Sequence, residues 1–106
     1  MAIHPGKMLD FMGNEFAQLR EFDESREQDW MVLKYPNHDD FHRYRRALNE
    51  AYLANEAFWS REYDPEAFRW LDCAHPELDA CAIWRDGHDG AVLAAFNFGD
   101  TELADY

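Results

Sequence analysis

Cysteine is scarce in this chain of 106 residues: Cys73 and Cys81 are the only two. That excludes a disulfide-dense scaffold, and two thiols without a second pair nearby do not make a zinc framework. They could face each other across paired strands. No secretory leader is read, so the expectation is free, buried thiols in a reducing, cytoplasmic setting. Positive charge is short as well, with 10 Lys and Arg against 22 Asp and Glu and a net charge of −12. This argues against nucleic acid, where affinity comes from cations on phosphates, and against an anionic membrane. Apolar runs are far too short to span a bilayer. Five histidines, His4, His38, His42, His75 and His88, show no metal-ligand spacing. A Gly-rich phosphate loop and a GxSxG elbow are both missing, so neither metal nor cofactor is expected.

What is abundant is apolar and aromatic. Hydrophobic residues make up 47% of the chain and aromatics 16%, so it is not read as disordered. Four Trp, five Tyr and eight Phe exceed what a small core needs, so some should meet a partner outside the chain. A neutral polysaccharide is compatible with an acidic, aromatic surface. Solubility alone also explains the charge.

Residues 8–12 (MLDFM) read as a short strand, apolar except for Asp10 and ended by Gly13. Such strands belong to parallel sheets buried on both faces, so neighbours are expected upstream. From Gln18 to Pro36 no period is sustained, and a loop this long is usually functional. Glu15, Glu21, Asp23, Glu24, Glu27 and Asp29 offer many carboxylate pairs. Spacing in a loop cannot establish the separation that glycosyl transfer needs, and salt bridges with Arg20 and Arg26 are the simpler fate.

Apolar residues Phe41, Tyr44, Ala47, Leu48, Ala51 and Tyr52 recur at three and four, which predicts a helix over 41–54. Asp39 and Asp40 would cap it, and its aromatic stripe would be core. His42, Arg43, Arg45, Arg46, Asn49 and Glu50 would face away. His38 and His42, four apart, could share a face. Alternation over 68–72 and 81–85, a turn at 86–90 and an apolar run over 91–98 predict strands, with 81–98 a hairpin. A fourth strand would begin at 103–106. Stopping in mid-pattern would leave an open edge, which again implies a longer protein.

The runs HPGKMLDFMGNEFAQ, LREFDESREQDW and KYPNHDDFHRYRRALNEAY, followed by EYDPEAFRWLDC and GAVLAAFNF, carry a resemblance. In this order they resemble the C-terminal part of bacterial 1,4-alpha-glucan (glycogen) branching enzymes, of the alpha-amylase superfamily. The resemblance implies an α+β fragment. Residues 1–62 would be the last strand, exit loop and closing helix of a (β/α)8 barrel, and 63–106 the first antiparallel strands of a C-terminal all-β sandwich domain. It implies transfer of alpha-1,4-glucan segments to alpha-1,6 branches by the whole enzyme, with the missing N-terminal barrel portion and alpha-glucan or glycogen as partners. The family's catalytic carboxylates lie on earlier motifs, so no catalytic residue is assigned and the chain alone is expected to be inactive. Asn14 and Glu15 would lie at the rim of the glucan cleft, and Trp30 is the third substrate-binding candidate. Two departures are Asp10 within the strand and Glu56, where the family often has proline and where little consequence is expected. The rival is a non-catalytic glucan-binding or assembly module, with Trp30, Trp59, Trp70 and Trp84 as stacking candidates. A small independent acid/base enzyme ranks last.

Overall fold

The computed structural model describes residues 2–106, which divide into two units: Met8–Ala54 with Ala2, and Ile3–Lys7 with Asn55–Tyr106.

The first unit is built on one helix, α1 (Pro36–Ala54), and two 3-10 turns, Asn14–Phe16 and Trp30–Lys34. The helix begins five residues earlier than its apolar period predicts. Pro36 opens it, since a first helical residue needs no N–H and its fixed φ suits the turn. Tyr35 before it is extended (φ −93°, ψ 130°), as a residue preceding proline should be. The Tyr35 carbonyl takes the amides of His38 and Asp39, both at 3.1 Å. Asp39 and Asp40 are therefore not caps but residues inside the first turns. Asp39 pairs along the helix with Arg43 at 3.4 Å, and Arg46 with Glu50 at 3.6 Å.

The buried side of α1 is only partly the expected one: Leu48 and Tyr52 are half-buried and Arg43, Arg46 and Glu50 exposed as expected, but the other positions of the apolar stripe are not covered. No residue of the helix is fully buried, and Phe41, Tyr44, Ala47 and Ala51 are exposed. Its half-buried positions include His38, His42, Arg45 and Asn49. The physical reason is local: the carbonyls of the Asn14–Phe16 turn need donors, and the helix supplies them from imidazoles. Phe41 and Tyr44 are 37% and 59% exposed, an apolar patch at the surface of the described residues.

Residues 8–12 do not form the expected strand. A strand exists by pairing, and among the described residues nothing pairs with this segment. Leu9, Phe11 and Met12 are 65%, 50% and 49% exposed instead. Asp10 reaches Arg45 of α1, Oδ2 to Nη2, at 2.6 Å.

The second unit is an antiparallel sheet, β1 (Phe68–Asp72), β2 (Ala80–Asp86) and β3 (Ala91–Asn97), in that spatial order. The hairpin over 81–98 is present, with Ala80 opposite Asn97 and Asp86 opposite Ala91. Even-numbered residues of β3 are half-buried and odd-numbered ones exposed, the alternation of a sheet covered on one face. Ile83 and Arg85 of β2 are buried. Asp64 accepts the Glu66 amide at 2.9 Å and caps the turn Pro65–Ala67 that leads into β1. The fourth strand expected at 103–106 does not form. The closing Tyr106 amide bonds instead to the Leu103 carbonyl at 3.4 Å, a local turn. Among the described residues no helix is long and apolar enough to cross a membrane.

Candidate functional site

The chain's GNEFAQ segment makes a tight corner. Gly13 adopts φ +87° and Ala17 φ +55°, both left-handed, so the backbone reverses on either side of the turn Asn14–Phe16. Glycine is required at 13 for a second reason: a Cβ there would stand 2.8 Å from the Gln18 Cβ. The Gln18 amide closes the corner on the Gly13 carbonyl at 2.9 Å.

Phe16 is completely buried and holds the corner down. The Trp30 ring lies over it, centroids 4.6 Å apart, while Trp30 itself remains 45% exposed. From α1, His38 Nδ1 donates to the Phe16 carbonyl at 2.8 Å and His42 Nδ1 to the Glu15 carbonyl at 3.2 Å. A carbonyl only accepts, so each imidazole carries a proton on Nδ1. The two histidines do share a face, as their spacing allowed, and they serve as backbone braces. Among the described residues no group of three or more His, Cys, Asp or Glu is placed to hold a metal ion.

The following loop is ordered by a side-chain network. Arg20 grips Asp29 through Nε and Nη2 at 3.2 and 3.1 Å, and Nη2 also donates to the Glu27 carbonyl at 2.8 Å. Gln18 accepts the Asp29 amide at 2.9 Å and donates to the Arg20 carbonyl at 3.0 Å. The Arg20 guanidinium holds the Asp29 carboxyl below its ordinary range. Arg26 stands 3.9 Å from Asp23, whose carboxyl is lowered chiefly by the Ser25 hydroxyl and amide. The salt-bridge reading is thus the observed one for Asp29 and Asp23, with Gln18 as a brace that composition gave no reason to single out.

The three sequence-derived binding candidates are brought to one corner but not to one pocket. Asn14 is exposed and borders an open depression with Leu9, Asp10, Phe41 and Arg45. Glu15, half-buried, borders another with His42, Asn49 and Leu53. Trp30 borders neither; one face of its ring is on Phe16, and nearly half its surface is open. The corner can therefore offer an amide, a carboxylate and an indole face to a ligand.

In the second unit the sequence reading undervalued Glu56. Its carboxylate accepts the amides of His88 and Asp89, both at 3.0 Å, and so closes the β2–β3 turn. The Ser60 hydroxyl and these two amides bring Glu56 down from 4.5 to about 2. Any Cβ at Gly87 would fall 1.9 Å from Glu56 Oε1, so the turn needs glycine to admit the carboxylate. We expect Glu56→Gln and Gly87→Ala each to lower the thermal midpoint, and the double variant to fall little further, because both remove one contact. Fully additive losses would refute that coupling. Since the folded form is the lower in pKa, the contribution is complete above pH 4.5 and disappears as pH falls toward about 2. The gap between the parent chain and Glu56→Gln should close over that window in pH-dependent melts.

No family model matches the chain. Curated relatives do. A 1,4-alpha-glucan branching enzyme of Thiobacillus denitrificans is 39% identical over 97 residues, covering 90% of this chain and 13% of the relative. That of Aquifex aeolicus is 36% identical over 108 residues, covering 100% and 17%. That of Thermobifida fusca is 42% identical over 94 residues, covering 89% and 13%. The chain thus spans between 13% and 17% of the length of these relatives. Identity sustained along 89–100% of this chain, in relatives of the same name, shows that it belongs to the 1,4-alpha-glucan branching enzymes and corresponds to a C-terminal part of them.

Proposed function

We propose that this chain is the part of a branching enzyme that closes the catalytic barrel and joins it to the C-terminal β domain. The whole enzyme would cleave an alpha-1,4-glucan chain and re-attach it through an alpha-1,6 bond by retaining, two-step chemistry. The observation that carries this reading is similarity to branching enzymes along nearly the entire chain. In this reading the exposed Phe41 and Tyr44 face of α1 packs on the N-terminal barrel portion. Residues 8–12 find their strand neighbours there too. Asn14 and Glu15 stand at the rim of the glucan cleft, and Trp30 presents its open face to a sugar ring. The partners are alpha-glucan and that barrel portion, in the cytoplasm, where two unbridged thiols are at home. The net charge of −12 speaks against nucleic acid and membrane.

The chain brings none of the family's catalytic carboxylates, so by itself it should form no alpha-1,6 linkages. Incubating the pure chain with amylose tests this, and clear branching would overturn it. In an intact parent enzyme Glu15→Gln should lower branching; unchanged activity removes Glu15 from the cleft.

A non-catalytic glucan-binding module is the second reading, favoured by Trp30, Trp59 and Trp70 being 45%, 45% and 54% exposed. Titration with glucan followed by Trp fluorescence separates the two. A saturable response favours the module, and silence favours the closing element.

A further inference from the structure

The ladder between β1 and β2 pairs Phe68 with Arg85, Arg69 with Trp84 and Trp70 with Ile83, then slips and pairs Asp72 with Ala82. The ladder ends there with β1; continued by one step in this second register, it would set Cys73 opposite Cys81. Cys81 is anchored within β2, where its other neighbour across the sheet is Phe96 of β3. Cys73 follows the last residue of β1 and is exposed; Cys81 is half-buried, and both thiols are free. The Asp72 carboxylate accepts the Ala74 amide at 3.3 Å, which bends the chain directly around Cys73. Tyr106 is electrostatically coupled to the same end of the sheet. Its phenol is pushed up by burial first, then by Asp72, with smaller contributions from both thiols.

Residues directly opposite in an antiparallel pair have Cβ atoms about 4.5–5.5 Å apart, and a disulfide needs about 3.5–4.5 Å. Closure therefore asks for an approach of about 1 Å. The end of β1 can give that, because the slip at Leu71 has already interrupted the ladder and Trp70 and Leu71 are exposed.

We propose that Cys73 and Cys81 are a reversible thiol–disulfide pair, oxidised by a small-molecule disulfide such as glutathione disulfide, whose bond ties the end of β1 to β2. The exposed Cys73 thiolate attacks one sulfur of the small disulfide and releases one small thiolate. The Cys81 thiolate then attacks Cys73 Sγ in the mixed disulfide and expels the second. Two protein thiols become one S–S bond, the small disulfide is reduced to two thiols, and the two protons pass to the departing thiolates. The bond closes residues 74–80 into a loop and holds β1, an edge strand, in place. An accessible pair of this kind belongs with the labile, responsive disulfides rather than the structural ones.

The test is to equilibrate the reduced full chain with glutathione and glutathione disulfide at graded ratios, in native buffer and in concentrated urea, then to quench and map peptides without reduction. The expected product is an intramolecular Cys73–Cys81 link. Half-oxidation should need a mixture more reducing in native buffer than in urea by about tenfold or more, since the fold presents the thiols to each other. Equal ratios in the two solvents would overturn the proposal. So would oxidation that stops at a glutathione adduct on Cys73, or links between chains. In Cys81→Ser, Cys73 should carry only the adduct; a Cys73 that takes no adduct would contradict its role as the first thiol attacked.

Discussion

Replacing Arg85 with alanine is expected to cost about 3–5 kcal/mol of folding stability, one of the two largest losses among substitutions in this chain. Arg85 is 1% exposed and spans the second unit from inside. Nη1 donates to the Ile3 carbonyl at 3.0 Å and Nη2 to the Phe58 carbonyl at 3.2 Å, so one fork fastens two segments remote in sequence to β2. Truncation leaves two carbonyls without these donors, at about 1–3 kcal/mol each where they stay buried, and removes a long buried stem. Arg85→Lys should recover only part of this, since a single ammonium does not reproduce the planar fork. Urea unfolding at equilibrium measures both variants. A loss below about 1 kcal/mol for Arg85→Ala would show that the fork contributes no more than an ordinary surface residue.

Phe16→Ala is the second, with an expected loss of about 3–5 kcal/mol. Phe16 has no exposed surface and lies under the Trp30 ring. Among the described residues of the first unit it is the one large apolar side chain fully buried. The loss should spread beyond its cavity. The carbonyls braced by His38 and His42 belong to Phe16 and Glu15, so a collapsed corner also loosens the contact with α1. Phe16→Leu should keep most of the stability, being nearer in volume. Equal losses for Ala and Leu would mean that ring geometry against Trp30, rather than volume, sets the value.

Asp10 offers a smaller version of the same reasoning. In the sequence it stood as an interruption of an apolar strand. The structure gives it Arg45 as a partner, with side chains 30% and 17% exposed. A pair so placed is worth little against solvent screening. Its effect is to orient the segment against the helix rather than to stabilise it greatly.

Several features were legible in the sequence because their causes are local. The β2–β3 hairpin follows from alternation on either side of a Gly-His-Asp-Gly turn. The body of α1 follows from the three-and-four recurrence of its apolar residues, although Pro36 set its start earlier than that period could show. Two of the loop acids, Asp29 and Asp23, found Arg20 and Arg26, which lie within ten residues of them. The expected strands over 8–12 and 103–106 failed for the opposite reason. Each needs a partner strand, and pairing cannot be inferred from the segment that would be paired.

By itself the sequence determined the family, through motifs kept in order along the chain, and the acidic balance that disfavours polyanions. It also determined the elements whose periodicity is their cause. Only the tertiary structure decided which way α1 faces, with His38 and His42 half-buried and Phe41 and Tyr44 exposed. Only it decided that Glu56 closes a turn 32 residues away, that Arg85 reaches back 82 residues to Ile3, and that the ladder between β1 and β2 slips between Trp70 and Asp72. The physical reason is common to these cases. A backbone carbonyl or amide taken out of water must find a partner, and the nearest donor or acceptor in space is a property of packing, which no local pattern of residues encodes.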